Sequence, residues 1–269
     1  MLHRAFQPVL LLALLAATAF AAAGASEAES DAEAQRAAML AHVPELPRAA
    51  ILRFVETDLA RWHYVRTRTS DDGVTIDRHD PTLPREERWQ LVSIDGREPT
   101  EKELRRYRRD REDAAERDEQ ERDDELVKVL QPGSIQFLGE ENGFQRFSYA
   151  LQSPDGKREK VYAALEGELL IDPDDGGRPW VREVRVWNRE TLRPFIGVRI
   201  DDAHMSFTFE LKDDWVLPVA VDVRWAGEIL ALRDVGNAMS YRLEDFRHAD
   251  DVTAAIAALS GARPSEAAP

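Results

Sequence analysis

A chain of 269 residues with no cysteine, and with 51 Asp and Glu against 36 Lys and Arg for a formal charge of −15, is closed to several kinds of chemistry at once. It can form no disulfide and no cysteine-ligated metal centre, and it can carry no lipid through a cysteine. Its negative balance repels nucleic-acid phosphates and, unless positive charge is locally concentrated, anionic membrane surfaces.

The chain opens with Arg4, an apolar stretch from Val9 to Phe20, and the small residues Ala21, Ala22, Ala23, Gly24 and Ala25. A positive end, a short apolar middle and a small-residue cleavage site are the layout of a secretory signal peptide, cut after Ala23 or Ala25. The apolar stretch falls short of the ~20 residues that span a bilayer, and no later stretch approaches that length. The expectation is a soluble exported protein of about 244 residues, with a charge of −16 once the 25-residue signal and its Arg4 are gone. A domain of that size can rest on its hydrophobic core without disulfides.

Residues 26–45, rich in Ala, Glu and Asp, read as a flexible leader that turns helical from about Asp31. From Pro47 to Arg61 an amphipathic helix is predicted, because Ile51, Phe54, Val55, Leu59 and Trp62 recur at helical spacing behind a proline in the first turn. Trp62–Thr69 is dense in aromatic and β-branched residues and predicts a strand, with Val74–His79 as its hairpin partner across Ser70-Asp71-Asp72-Gly73. Arg88–Ile94 is a third strand, ended by the turn pair Asp95-Gly96.

Thr100 and Glu103 then form a capping box behind Pro99, so a helix starts there. Of the 28 residues from Glu98 to Glu125, 21 are charged, which makes a solvated helical insertion over 98–128 the plain reading. A sharper reading is a mobile cover whose Arg105, Arg106, Arg108, Arg109 and Arg111 meet anionic head groups or an acidic partner.

From Ser134 to Arg247 short strands follow one another: Ser134–Leu138, Phe144–Leu151, Lys160–Leu165, Glu168–Ile171, Val181–Trp187, Phe195–Ile200, Ser206–Leu211, Pro218–Trp225, Glu228–Arg233 and Met239–Phe246. Their linkers are turn-like, as in Glu141-Asn142-Gly143 and Lys212-Asp213-Asp214, and leave no room for crossover helices, so neighbours are antiparallel. Phe147, Tyr149 and Leu151, then Phe207, Phe209 and Leu211, then Val219, Val221, Val223 and Trp225 alternate with Ser148, Thr208, Asp222 and Arg224, which predicts one buried face. Residues 251–269 read as a disordered tail.

Chemistry is sparse. His63 and His79, with Asp77 and Asp80 nearby, have the residue types of a zinc site if the strand register brings them together. The run Asp172 to Gly177 lacks the spacing and closing Glu of a calcium loop and reads as a tight turn. No Gly-x-Ser-x-Gly elbow and no glycine-rich phosphate cradle is present, so the expectation is a non-catalytic protein without a cofactor.

Certain local textures resemble the periplasmic lipoprotein carrier superfamily, the LolA/LolB-like fold. They are Trp89-Gln90-Leu91 leading to Asp95-Gly96 and Pro99-Thr100, Leu165-Glu166-Gly167-Glu168-Leu169-Leu170-Ile171-Asp172 followed by Val184-Arg185-Val186-Trp187, and Asp214-Trp215-Val216-Leu217-Pro218 with Leu243-Glu244-Asp245-Phe246-Arg247. The likeness runs from Leu46 to Arg247 and implies a single α+β domain over 46–250. In that fold a large curved antiparallel sheet forms a half-open barrel, helices cover its concave face, and here a charged helical excursion is added. It implies a periplasmic protein that holds a lipid, acyl chain or lipoprotein, with Phe147, Tyr149, Phe207, Phe209, Val221, Val223 and Trp225 on the concave face. The alternatives are an envelope protein-interaction or stress-sensing module with a filled core and a charged contact helix, and, more remotely, a metal-assisted hydrolase using His63 and His79.

Overall fold

The computed structural model describes residues 40–120, 129–131, 133–153, 156, 158–173, 176–229 and 233–252. The signal, most of the leader, residues 121–128 of the charged insertion and the tail from 253 lie outside them. Helix α1 (Glu45–Val55) and a 3₁₀ turn (Leu59–Arg61) lead into β1 (Trp62–Ser70), β2 (Gly73–His79) and β3 (Trp89–Ile94). The charged helix α2 (Glu101–Gln120) follows, then β4 (Gln136–Glu141), β5 (Phe144–Ala150) and a short α3 (Glu159–Ala163). The chain closes with β6 (Leu165–Asp172), β7 (Trp180–Asn188), β8 (Leu192–Phe195), β9 (Val198–Lys212), β10 (Trp215–Ile229) and β11 (Arg233–His248).

All 11 strands join one sheet in the order β3-β2-β1-β11-β10-β9-β7-β6-β5-β4, with β8 paired to β9 beside β7. Every pairing is antiparallel, as the hairpin linkers demand. The sheet is open, with β3 and β4 at its two ends. Among the described residues no helix is long and apolar enough to cross a membrane.

Register aligns the alternation seen in sequence. Phe147, Leu169, Val184, Phe207 and Val221 sit opposite one another across five strands, and Tyr149, Gly167, Val186, Met205 and Val223 form the next row. Because a strand's side chains alternate between faces, both rows lie on one face. Helix α1 packs its buried Ala50, Ile51 and Phe54 into the same core cluster, with Phe54 edge-on to Phe209 at 5.0 Å between ring centres. Burial of a large apolar side chain contributes about 1.5–3 kcal/mol, so Ile51 and Phe54 anchor α1 to the sheet. Its last turn is fixed by the buried Arg53, which donates to the Arg178 carbonyl (2.6 Å) and to Asp214 (2.5 Å) in the β9–β10 turn.

Several expectations change, the first being the helix predicted over Pro47–Arg61, which ends at Val55, with Leu59–Arg61 a separate 3₁₀ turn. The stretch Lys160–Leu165, expected as a strand, begins with helix α3: Tyr162 and Leu165 are the buried pair, a spacing of three that an alternating strand cannot place on one side. Phe195–Ile200 is not one strand but a hairpin that reverses at Gly197, whose φ of 81° is open to glycine at little cost. Pro218–Trp225 and the first two residues of the expected strand Glu228–Arg233 are one strand, β10, with Gly227 inside it, while Arg233 opens β11. A Cβ at Gly227 would strike the Arg199 backbone, so this glycine permits close approach of β9 rather than ending a strand. Upstream of the expected domain start, Leu40 and Val43 are already buried in the core.

Candidate functional site

All seven residues expected on a ligand-binding face meet in one place. Phe147, Tyr149, Phe209, Val221 and Val223 are between 2% and 7% exposed and belong to the main core, while Phe207 and Trp225 are half-buried against it. Their neighbours explain the burial: Phe54 of α1 covers Phe209, the Phe137 ring lies 5.4 Å from Phe147, and Tyr149 lies across Gly167. Val223 and Trp225 of the seven reach a recess, which Leu165, Val186, Ile200 and Met205 also line. Its enclosed volume is about 10 Å³, roughly the room of one water molecule.

A second constellation was not legible in sequence. Asp77 on β2, 5% exposed at its side chain, accepts Nε and Nη2 of Arg66 at 2.9 and 2.5 Å from the neighbouring strand. Two residues of α2, one turn apart, complete its shell: Tyr107 donates its hydroxyl at 2.8 Å and Arg111 donates Nη2 at 3.1 Å. Both guanidinium groups also lie against Trp89 of β3, with Cζ 4.3 Å (Arg66) and 4.0 Å (Arg111) from the ring centre. Burial first, and the Asp77 carboxylate second, push the Tyr107 phenol well above its ordinary range and hold it protonated as a donor. The cluster ties the charged helix to the sheet.

This divides the five arginines expected to face a partner. Arg111 is turned inward and is a structural tether, because the i, i+4 relation to Tyr107 puts it on the docked edge. Arg105, Arg106, Arg108 and Arg109 are exposed, with local pairs from Arg105 to Glu101 and from Arg106 to Asp110. The helix starts as its capping box requires: Glu103 accepts from Thr100 N at 2.8 Å, Thr100 Oγ1 accepts from Glu103 N at 3.4 Å, and Arg97 forks onto the Glu103 carboxylate. Those bonds, that from Arg97 foremost, hold Glu103 well below the usual carboxylate range.

His63 and His79 do not converge. His79 pairs with Tyr64, so the preceding residue His63 points to the opposite face of β1. His79 is buried, its Nδ1 hydrogen-bonded to the Trp62 carbonyl at 2.8 Å, and burial holds its pKa below the usual imidazole value. His63 instead faces Asp80 at 3.3 Å. Among the described residues no group of three or more His, Asp and Glu is placed to hold a metal ion. In the run Asp172 to Gly177, Gly176 and Gly177 both have positive φ, as in a turn, and 174–175 lie outside the described residues.

No protein-family model, no curated protein and no solved structure matches the chain.

Proposed function

We propose that this chain is a non-catalytic binding protein of the cell envelope that takes an apolar chain, the acyl group of a lipid or of a lipoprotein, on the recess side of its sheet. In this proposal the sheet is the wall of a half-open barrel, and α1 and α2 are the helices over its concave face. Export by the N-terminal signal to the periplasm, or beyond it, belongs to the same proposal. The observation that supports it best is apolar continuity from solvent to core: exposed Phe195 and Ile196 at the β8–β9 turn lead through Val198 to buried Ile200, a wall of the recess.

An enclosed volume of about 10 Å³ is far below the roughly 300–1,000 Å³ of a formed small-molecule pocket. Uptake therefore works by displacement, with unbranched Met205 and half-buried Trp225 moving aside. Each CH₂ that enters gains about 0.8 kcal/mol. The test is native mass spectrometry of the mature protein purified from the periplasm, with organic extraction of the same sample. A stoichiometric acyl adduct is expected; a clean apo mass, with no extractable lipid and no uptake of a fluorescent fatty acid, overturns the proposal.

One observation favours a second reading, a protein-interaction module with a filled core. Tyr107 and Arg111 hold α2 down while Arg105, Arg106, Arg108 and Arg109 stay in solvent, a fixed cationic edge for an acidic protein segment. Binding of an acidic polypeptide should then fall with salt and vanish when the four become Ala, and binding indifferent to both changes removes this reading.

A further inference from the structure

We propose that the β8–β9 hairpin is a membrane-docking wedge, which seats the protein on a phospholipid surface by inserting Phe195 and Ile196 among the head groups. Ile196 is fully exposed, at 103% of its reference area, and Phe195 beside it is 43% exposed. The root of the hairpin is the opposite: Leu192 and Ile200 face each other across the strand pair and are both buried. An apolar tip on a root fixed in the core is held in water by the fold itself.

The chemistry around the tip selects the occupant. From Leu192 to Ile200 the chain has Arg193 and Arg199 and no acid, in a protein with a formal charge of −15. Arg199 is engaged by Asp201 at 2.8 Å and Glu228 at 3.5 Å, while Arg193 is exposed two residues before Phe195, where in this proposal it meets a lipid phosphate. Two adjacent side chains cannot supply the ~800 Å² per partner of a stable protein interface. Insertion into a bilayer interface needs no matching surface, and each large apolar side chain fully buried strengthens binding about tenfold or more.

The protein's overall charge sets the sign of the salt effect. Its long-range field opposes an anionic membrane, and salt screens that field beyond about 8 Å at physiological ionic strength while leaving the inserted tip untouched. Docking by this wedge is therefore at least as strong on zwitterionic phosphatidylcholine as on phosphatidylglycerol-containing vesicles at low salt, and moderate salt strengthens it on the latter. A polybasic surface behaves in the opposite way.

The experiment is flotation of the mature protein with both kinds of vesicle, comparing wild type with Ile196→Asp, Ile196→Trp and, as a control on another exposed apolar residue, Leu52→Asp. Wild type, Ile196→Trp and Leu52→Asp should float, and Ile196→Asp should bind at least about tenfold more weakly. Ile196 touches no core, so a folded Ile196→Asp protein that floats like wild type overturns the proposal, as does a wild type that stays with the soluble fraction. Loss of a concentration-dependent dimer in Ile196→Asp, without vesicle binding by wild type, also overturns it and gives the tip to a second copy of the chain. Extraction of the same samples reports on acyl binding separately: a lipid-free protein that floats retains the wedge and loses the acyl proposal.

Discussion

Replacing Asp77 by Asn tests whether the charged helix is built into the fold or merely lies near it. The substitution keeps the size of the side chain and removes its charge, leaving Arg66, 18% exposed at its side chain, with no carboxylate to accept its fork. Breaking one partner out of a buried ion pair costs about 3–5 kcal/mol, a large part of the roughly 5–15 kcal/mol by which a domain is stable. Urea unfolding followed by tryptophan fluorescence should register that loss as a lower midpoint at unchanged slope. The double variant Arg66→Met/Asp77→Asn removes both charges and should recover most of it, since apolar replacement of a buried pair is often close to neutral. A local measurement separates global from helix-only effects. Arg111→Ala leaves the Arg66–Asp77 fork intact but removes one charge-assisted bond to Asp77 and the contact with Trp89. At about 1.5–3 kcal/mol for such a bond, tryptic cleavage at the arginines of α2 should accelerate by roughly 10- to 150-fold if it proceeds through helix undocking. Asp77→Asn within about 1 kcal/mol of wild type, together with unchanged cleavage of Arg111→Ala, would refute the tether.

Three further outcomes follow from the same packing. Gly167→Ala drives a methyl group into the Tyr149 ring and should destabilise by about 1–3 kcal/mol in urea unfolding; a loss under about 0.5 kcal/mol would mean the ring is not confined there. Phe209→Glu, at a position 2% exposed and packed edge-on against Phe54, should lose cooperative unfolding and the near-ultraviolet circular dichroism of packed aromatics rather than ligand alone, and a folded variant would show that this part of the face opens. His79, held below its ordinary value of 6.5 by burial, gives stability that is complete above that value. It is lost as the pH falls through the lowered folded pKa, because the unfolded imidazole protonates first. The fall in urea midpoint from neutral pH to about 5.5 should flatten in His79→Gln, and an unchanged fall would remove His79 as its source.

What the sequence disclosed and what it withheld divide along sequence distance. Turns are local chemistry: Asn142-Gly143 adopts positive φ at both residues, and Thr100 and Glu103 cap α2 reciprocally, each as its residue types require. The apolar face was legible because alternation in Phe207 and Phe209 or Val221 and Val223 needs no knowledge of partners. The tether was not. Arg111 lies 34 residues from Asp77 in a run where most residues are charged, and nothing in the run marks this arginine as turned inward. The hairpin at Gly197 was hidden for a different reason: Phe195, Ile196, Val198 and Ile200 all favour extended structure, so propensity continues through a reversal that pairing between Leu192 and Ile200 imposes.

The two features that sequence could not supply bear on one question, where a partner can act on a sheet whose apolar face is packed. Helix α2 is held at its edge by the Asp77 carboxylate and the Trp89 ring, and the β8–β9 tip leads through Val198 to Ile200, a wall of the recess. They lie on different strands, β2 and β3 at one end of the strand order for the helix, and β8 and β9 in its middle for the tip. A ligand that enters at the tip therefore need not break the Asp77 cluster, and it displaces only side chains of β6, β7, β9 and β10. If instead α2 must lift first, Arg111→Ala will raise the rate of fatty-acid uptake as well as that of tryptic cleavage, and the ratio of the two accelerations measures how far uptake depends on undocking. Faster cleavage with unchanged uptake assigns loading to the β8–β9 end and leaves α2, with its outward arginines, to a separate contact.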